Sequence, residues 1–194
     1  EGGSTLVDGP TFSKTIKDLA NNTTTSVYNS YDNSINYIGF YSRELPEGYT
    51  LENLNKLPNV SVSLDDKVRA YYDSGNIYVY GDSHIIANEN MYSMFRGLKS
   101  LTNLNLKSLD TFKTTSMQGT FKESSKLKSL DISNFDTSNV TTMYNMFQDM
   151  TSLESLNLKN FNTSNVKNMA GMFSHLNSLV QLNISSFDTS KVTD

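Results

Sequence analysis

Residues 130–147 read LDISNFDTSNVTTMYNMF, and most of this stretch returns at 156–173 as LNLKNFNTSNVKNMAGMF. The interval between equivalent positions is 26 residues, and it holds through four copies within residues 91–194. Because one short unit cannot bury its apolar face alone, columns that stay in phase over four copies indicate stacked repeats. The columns are Phe95, Phe121, Phe147 and Phe173; Met91, Met117, Met143 and Met169; and Leu104, Leu130, Leu156 and Leu182.

Each copy contains the pattern L-x-x-L-x-L, in which the last residues alternate apolar and polar. Such alternation predicts a short strand with one face pointing inward. Further along, Val140, Met143, Met146 and Phe147 have the spacing of one face of a short helix. The sequence therefore predicts an α/β fold, a leucine-rich-repeat-like solenoid with one strand and one short helix per coil. The four inward triplets are Leu101-Leu104-Leu106, Leu127-Leu130-Ile132, Leu153-Leu156-Leu158 and Leu179-Leu182-Ile184.

The segment 130–147 closely resembles the 26-residue repeat of bacterial surface proteins, often described as the BspA-like leucine-rich repeat. That repeat occurs in Listeria-type and mycoplasma lipoproteins and in lactobacillar surface proteins. The resemblance covers about 91–194. An extension upstream is suggested by Tyr78-Val79-Tyr80, which lies 26 residues before Leu104-Asn105-Leu106. The resemblance implies a non-enzymatic adhesive or partner-binding protein, secreted and held on a bacterial cell surface by a wall or lipid anchor.

Residues 1–90 have a different pattern, which predicts a small α+β unit capping the four repeats of 91–194. Thr11 is expected to cap a helix with Phe12, Ile16 and Leu19 on one face. Strands are predicted at 34–41 and 60–64, and a hairpin at 68–80 around the turn Asp73-Ser74-Gly75. A cap is expected because the first coil of a solenoid would otherwise expose its apolar edge.

Charge and composition exclude several classes of partner. The net charge is −4, and residues 1–90 contain six Lys/Arg against twelve Asp/Glu, so no nucleic-acid partner is expected. The chain has no cysteine and no apolar run approaching the ~18 residues of a membrane span. Because it starts without Met, we expect a processed form or a fragment. Because it stops at Asp194, before a fifth copy would open, further repeats or a cap are expected to follow. Alternatively, the exposed C-terminal edge pairs with a second copy of the chain.

The sequence offers little catalytic chemistry. Gly81-Asp82-Ser83-His84 follows a predicted strand, where some esterases place a nucleophile, but the late Asp-x-x-His of those enzymes is missing. His84 and His175 lack metal-ligand spacing. Three aspartates (131, 136 and 188) could contribute to calcium sites, although a hydrogen-bonding ladder accounts for them better. We therefore expect no enzymatic activity, no cofactor and no metal.

Two surfaces are candidates for a partner. Ten of the eleven tyrosines precede residue 100, which predicts either an interface patch or tyrosines half-buried on a small sheet. The outward residues of the predicted strands form the second surface, a polar ladder. We expect protein binding or adhesion to host or neighbouring cells; the alternative is a structural stalk without a ligand. The ladder residues are Asn103, Asn105, Lys107, Ser129, Asp131, Ser133, Ser155, Asn157, Lys159, Gln181, Asn183 and Ser185.

Overall fold

A computed structural model describes residues 2–50 and 56–194. Three small sheets have the strand orders β3-β4-β2-β6, β1-β5-β7 and β8-β9, and every pair except β3–β4 is parallel. The predicted combination of α-helix and parallel strands is confirmed. Most of the described chain, however, consists of turns and irregular segments. The elements are α1 (Gly9–Asn21), β1 (Gly3–Thr5), β2 (Tyr37–Ser42), β3 (Val68–Asp73), β4 (Asn76–Gly81), β5 (His84–Ile86), β6 (Asn103–Asn105), β7 (Leu109–Asp110), β8 (Ser155–Asn157) and β9 (Gln181–Asn183).

Helix α1 begins after Asp8, whose side chain accepts a hydrogen bond of 2.8 Å from the Thr11 N–H. This bond satisfies a donor that has no partner inside the first helical turn. The prediction that Thr11 caps the helix is therefore wrong. The predicted apolar face is confirmed, because Phe12 and Ile16 are fully buried and Leu19 packs against the same core.

The predicted hairpin is confirmed, with β3 and β4 antiparallel from Val68↔Gly81 to Asp73↔Asn76. The strand predicted at 60–64 is wrong. Around it, Asn59 and Ser61 make only isolated bridges. Val60 is buried, but Val62 and Leu64, expected to point inward with it, are 59% and 91% exposed, so one residue of the predicted apolar face reaches the core.

Strand β2 lies between β4 and the first repeat. Its Ile38 pairs with Ile77 of β4 on one side and with Leu104 of β6 on the other, both in parallel register. The repeat spacing predicted that residues 78–80 of β4 lie beside the first repeat, but β2, and not β4, pairs with β6. A segment distant in sequence occupies that position and joins the N-terminal sheet to the first repeat.

The four repeats (91–116, 117–142, 143–168 and 169–194) are in register at 26 residues. Parallel bridges connect Asn90, Ser116, Thr142 and Asn168 in succession. The column of phenylalanines forms a stack with ring centroids 5.7, 5.8 and 6.1 Å apart and interplanar angles of 10°, 3° and 7°. The period thus brings the same side chain to the same place in each successive unit.

The segments predicted as short helices in the repeats are ribbons of consecutive turns. In the third repeat, the N–H groups of Asn145 and Phe147 donate to carbonyl oxygens of the fourth repeat, at 2.9 and 3.1 Å. Between them, the Met146 N–H donates back to Met143 O at 3.1 Å. Since an α-helix needs each N–H for the carbonyl four residues earlier, the helix prediction is wrong.

Two positions in every ribbon have left-handed backbone conformation, with φ between 54° and 71°. In the same ribbons, every second N–H donates to a carbonyl oxygen of the next repeat. The two columns are Ser93, Gly119, Asn145 and Gly171, and Gly97, Glu123, Asp149 and His175.

The predicted strand is present in three of the four repeats, as β6, β8 and β9. In the second repeat, residues 129–131 form no strand, and Leu130 is only half-buried. The sheet is therefore interrupted between β6 and β8.

A column of buried threonines holds neighbouring repeats together through their backbones. Thr137 Oγ1 donates to Asn162 O at 3.0 Å and accepts from Asn162 N at 2.8 Å. Thr111 and Thr163 make the same pair of bonds with the residue 25 positions later. All three side chains are buried, so each hydroxyl satisfies a donor and an acceptor at the corner of the next repeat.

Candidate binding surface

The twelve predicted ladder residues, which we call the ladder face, lie at the surface. Asn105 is half-buried and the other eleven are exposed, while Leu104 and Leu156 between them are buried. β8 and β9 bring the third and fourth sets together, with Asn157 opposite Asn183. At the interruption in the second repeat, a crevice of about 250 Å³ separates Ser129 and Asp131 from Ser155 and Asn157.

The side chain of the middle residue in each ladder set accepts a hydrogen bond from the backbone N–H two residues later. The Asn105 side chain accepts a hydrogen bond from the Lys107 N–H at 3.2 Å, and Asn157 accepts from Lys159 N–H at 3.1 Å. Asp131 and Asn183 do the same with the residue two positions later. Asn and Asp commonly end strands in this way. Apart from Ser133, whose hydroxyl donates to Asp131 Oδ1 at 2.6 Å, the first and third residues of each set present exposed side chains to a partner.

Five tyrosines form one cluster on the outer face of the N-terminal sheet. Tyr78 on β4 is its centre, with ring centroids 4.9 to 6.1 Å from four other rings. Each of the five is half-buried. The members of this tyrosine cluster are Tyr37 and Tyr41 on β2, Tyr49, Tyr71 on β3 and Tyr78.

Gly39, between the two tyrosines of β2, makes room for their rings. A Cβ atom at this position would lie 2.3 Å from Tyr37 Oη and 2.8 Å from the Tyr41 ring. The two hydroxyls meet above the glycine at 2.5 Å. A side chain here would force these rings apart.

The tyrosine cluster and the ladder face meet in a single groove of about 790 Å³, which we call the tyrosine groove. β2 creates it, because its outward tyrosines lie directly beside the first ladder residues on β6. The sequence identified both surfaces separately but not their contact. Among the lining residues are Tyr37, Tyr41, Tyr49 and Tyr78 on the cap side, Glu44 and Glu47 on the rim, and Asn103, Asn105 and Lys107 on the ladder side.

Burial and hydrogen bonding raise the pKa of three tyrosine hydroxyls in the cluster. Burial raises the pKa of Tyr71 to about 12, and burial with the hydrogen bond to Tyr37 raises the pKa of Tyr41 further. Hydrogen bonds to Tyr78 and to Asp73 raise the pKa of Tyr49. These three hydroxyls therefore stay protonated to a higher pH than a free tyrosine does.

A family model described as "Mycoplasma protein of unknown function, DUF285" matches residues 89–194, which is more than half of the chain. The chain belongs to this family. All four repeats lie within the DUF285 region, and the tyrosine cluster lies before it. No curated protein and no solved structure matches the chain in the corresponding searches.

Ser83 and the two histidines, which the sequence offered as catalytic candidates, contact side chains other than one another. His84 Nε2 lies 2.8 Å from Asp110 Oδ2, at the start of the DUF285 region, while Ser83 Oγ lies 3.3 Å from Ser4 Oγ. His175 lies 2.9 Å from Asp149. Ser83 and His84 thus bond in different directions, and a serine nucleophile requires a base that bonds to it.

The residues considered for calcium also bond locally. Asp131, Asp136 and Asp188 each accept a hydrogen bond from the N–H of the residue two positions later. In residues 2–50 and 56–194, no three His, Asp or Glu side chains come together as a metal-binding group. Nor is any helix in that part of the chain long and apolar enough to cross a membrane.

Proposed function

We propose that this chain is a non-catalytic binding module of a bacterial cell surface, which contacts a protein on a host or neighbouring cell. One observation carries the proposal: the tyrosine cluster and the first ladder residues lie on one continuous sheet face around a groove of about 790 Å³. Tyrosine is among the residues that dominate binding energy in protein interfaces. Exposed polar residues along the ladder face complete the arrangement of an interface, with an aromatic centre and a polar rim.

In this proposal the DUF285 region is a leucine-rich-repeat-like solenoid of the BspA type, capped by residues 1–90. The 26-residue register of bridges and the phenylalanine stack support it. Each coil has a ribbon of turns where the sequence predicts a helix. Display on a cell surface, through a wall or lipid anchor, follows from the same resemblance.

Binding of fluorescently labelled chain to epithelial cells, with unlabelled chain as competitor, tests the proposal. We expect saturable binding. A variant with Asn103→Lys and Ser155→Lys places two long side chains on the ladder face, at positions that do not hold the backbone. We expect this variant to bind at least about five-fold more weakly, the effect of losing roughly 1 kcal/mol at an interface.

The matched control is Thr115→Lys with Thr141→Lys, which adds the same charge at exposed positions outside the ladder face. It should bind like the wild-type chain. Absence of saturable binding, or an equal loss in both double variants, would refute the proposal.

A spacer without a ligand is the second candidate function. It is favoured by the middle column of the ladder, because Asn105, Asp131, Asn157 and Asn183 are all engaged in holding the backbone. The cell-binding experiment separates the two functions, since a spacer shows no saturable binding.

Self-association through the C-terminal edge stays a prediction. In the fourth repeat, Val180 is 82% exposed, Leu182 is 39% exposed and Ile184 is 41% exposed. Sedimentation of the chain over a range of concentrations tests it. If the edge pairs with a second copy, Leu182→Asn shifts the dimer to monomer; a wild-type monomer at all concentrations contradicts the prediction.

A further inference from the structure

The tyrosine cluster offers ring faces rather than hydroxyl groups to a ligand. Tyr37 and Tyr41 bond to each other, and Tyr49 Oη donates to Asp73 Oδ2 at 2.7 Å. Tyr71 Oη is buried. A ligand with many hydroxyl groups, such as a sugar, finds few unengaged tyrosine hydroxyls here. Neutral ring faces, by contrast, carry the quadrupole that attracts cations.

Carboxylates surround these rings. Glu44 and Glu47 line the groove, and Asp73 contacts Tyr49. Asp73 is an aspartate, charged at neutral pH, and hydrogen bonds from Tyr49 and Ser74 lower the pKa of its carboxyl below the ordinary value. The aromatic end of the groove thus combines ring faces with negative charge, the two features that attract an ammonium or a guanidinium group.

Neither Lys107 nor Arg69, two basic residues of this part of the chain, lies over a ring of the tyrosine cluster. Lys107 follows β6 on the ladder side, and Arg69 Nη1 donates to Leu57 O at 3.2 Å. Rings elsewhere in the protein do accept cations: the Lys99 ammonium lies 4.5 Å from the centroid of Tyr31. Within the described residues, no Lys or Arg lies over any of the five rings of the cluster.

We propose that the tyrosine groove takes the Arg or Lys side chains of an extended segment of the partner protein. The side chains lie against the rings around Tyr78 and pair with Glu44 and Glu47. Charge complementarity favours this occupant at the aromatic end of the groove, since Glu44 and Glu47 line it and Asp73 contacts Tyr49, while Lys107 lies on the ladder side. The inference rests on the proposed function, because it specifies the partner chemistry of the same site.

Calorimetric titration of the whole chain with the peptide Gly-Ser-Arg-Ser-Arg-Ser-Gly tests the inference. The comparison peptide carries citrulline in place of both arginines, which removes the charge and keeps the shape. We expect the arginine peptide to bind and the citrulline peptide to bind at least about five-fold more weakly, as expected for losing the cation–π and ionic contacts. Equal binding of the two peptides, or no binding of either, would overturn the inference.

Two variants locate the site. The double variant Glu44→Gln, Glu47→Gln changes exposed side chains only. We expect it to bind the arginine peptide about two- to five-fold more weakly than the wild-type chain does. Glu154→Gln, an exposed carboxylate in the third repeat, is the matched control and should change nothing. Tyr78→Leu should weaken binding while Tyr78→Phe, which keeps the ring, retains it. If Tyr78→Leu does not fold, as judged by circular dichroism, the glutamine pair still decides. An equal effect of the glutamine pair and Glu154→Gln would contradict the inference.

A titration with maltohexaose distinguishes the other class of ligand. Binding of this neutral sugar, lost in Tyr78→Leu, without binding of the arginine peptide would make the groove a glycan site and overturn the inference. A third outcome is that neither the arginine peptide nor maltohexaose binds, while the labelled wild-type chain binds cells and the Asn103→Lys, Ser155→Lys variant does not. In that case only this inference fails. The proposed function then stands.

Discussion

Replacing Gly119 by alanine distinguishes the turn ribbons from the predicted helices by the sign of the change in stability. In a helix interior, Gly→Ala stabilises by roughly 0.5–1 kcal/mol. Gly119 has φ +61°, a conformation that costs an alanine about 1–2 kcal/mol. The added Cβ has space, since the nearest atoms are Ser93 Oγ at 3.4 Å and Lys122 Cβ at 3.9 Å. The backbone penalty is therefore the whole expected effect.

Urea unfolding followed by far-UV circular dichroism at pH 7 measures this change. We expect Gly119→Ala to lower the free energy of unfolding by about 1–2 kcal/mol with an unchanged m-value, and the melting temperature by roughly 2–8 °C. Gln118→Ala is the control, because its backbone lacks a positive φ, and we expect a change below about 0.5 kcal/mol. A more stable Gly119→Ala variant would refute the turn ribbon and restore the helix.

Three further perturbations test other parts of the structure. Thr137→Val leaves the Asn162 N–H and C=O without their partner and should lower the free energy of unfolding by about 2–4 kcal/mol. Thr137→Ser keeps the hydroxyl and should lower it by about 1 kcal/mol. Equal losses of the two variants in urea unfolding would contradict this expectation. Burial lowers the pKa of Lys17 from 10.5 to about 8, so between these values the unfolded chain holds a proton that the folded chain has lost, and stability rises with pH. The free energy of unfolding of the wild-type chain, measured relative to that of Lys17→Met, should rise by about 2–3 kcal/mol between about pH 7 and pH 10. A difference between the two chains that does not change with pH would contradict this expectation. Gly39→Ala should cost about 1–3 kcal/mol in thermal unfolding because its Cβ meets the Tyr37 and Tyr41 rings, and an unchanged melting temperature would show that the rings move freely.

The repeat and much of its core can be predicted from the sequence, because a fixed period brings equivalent side chains to equivalent places. Phe95, Phe121 and Phe147 are all fully buried, as one column in phase requires. The hairpin at 68–80 is equally local, since Ser74 and Gly75 both adopt the positive φ that a tight turn needs.

The turn ribbons were predicted as helices because both structures return a side chain to the same face every three or four residues. What separates them is the left-handed residue in between. The column at 93, 119, 145 and 171 reads Ser, Gly, Asn and Gly, and Gly and Asn are the residues that tolerate positive φ best. Hydrophobic spacing alone does not contain this information, but this column does.

The tyrosine groove depends on a non-local pairing that no period reveals. Tyr37 comes beside Asn103, and Gly39 beside Asn105, only because β2 enters the sheet between β4 and β6. Local spacing instead favoured β4 as the neighbour of the first repeat. The ladder face follows from strand alternation, but the role of Asn105 in ending its strand emerges only from its hydrogen bond to Lys107.

Hydroxyl-radical footprinting of the chain, free and bound to epithelial cells, tests most directly that this face is the one that binds. Tyr144, 37% exposed on a turn ribbon of the third repeat, is an internal control within the same molecule. We expect oxidation of Tyr37, Tyr49 and Tyr78 to fall on binding while oxidation of Tyr144 is unchanged. Protection of Tyr144 with no change at the three groove tyrosines would contradict it.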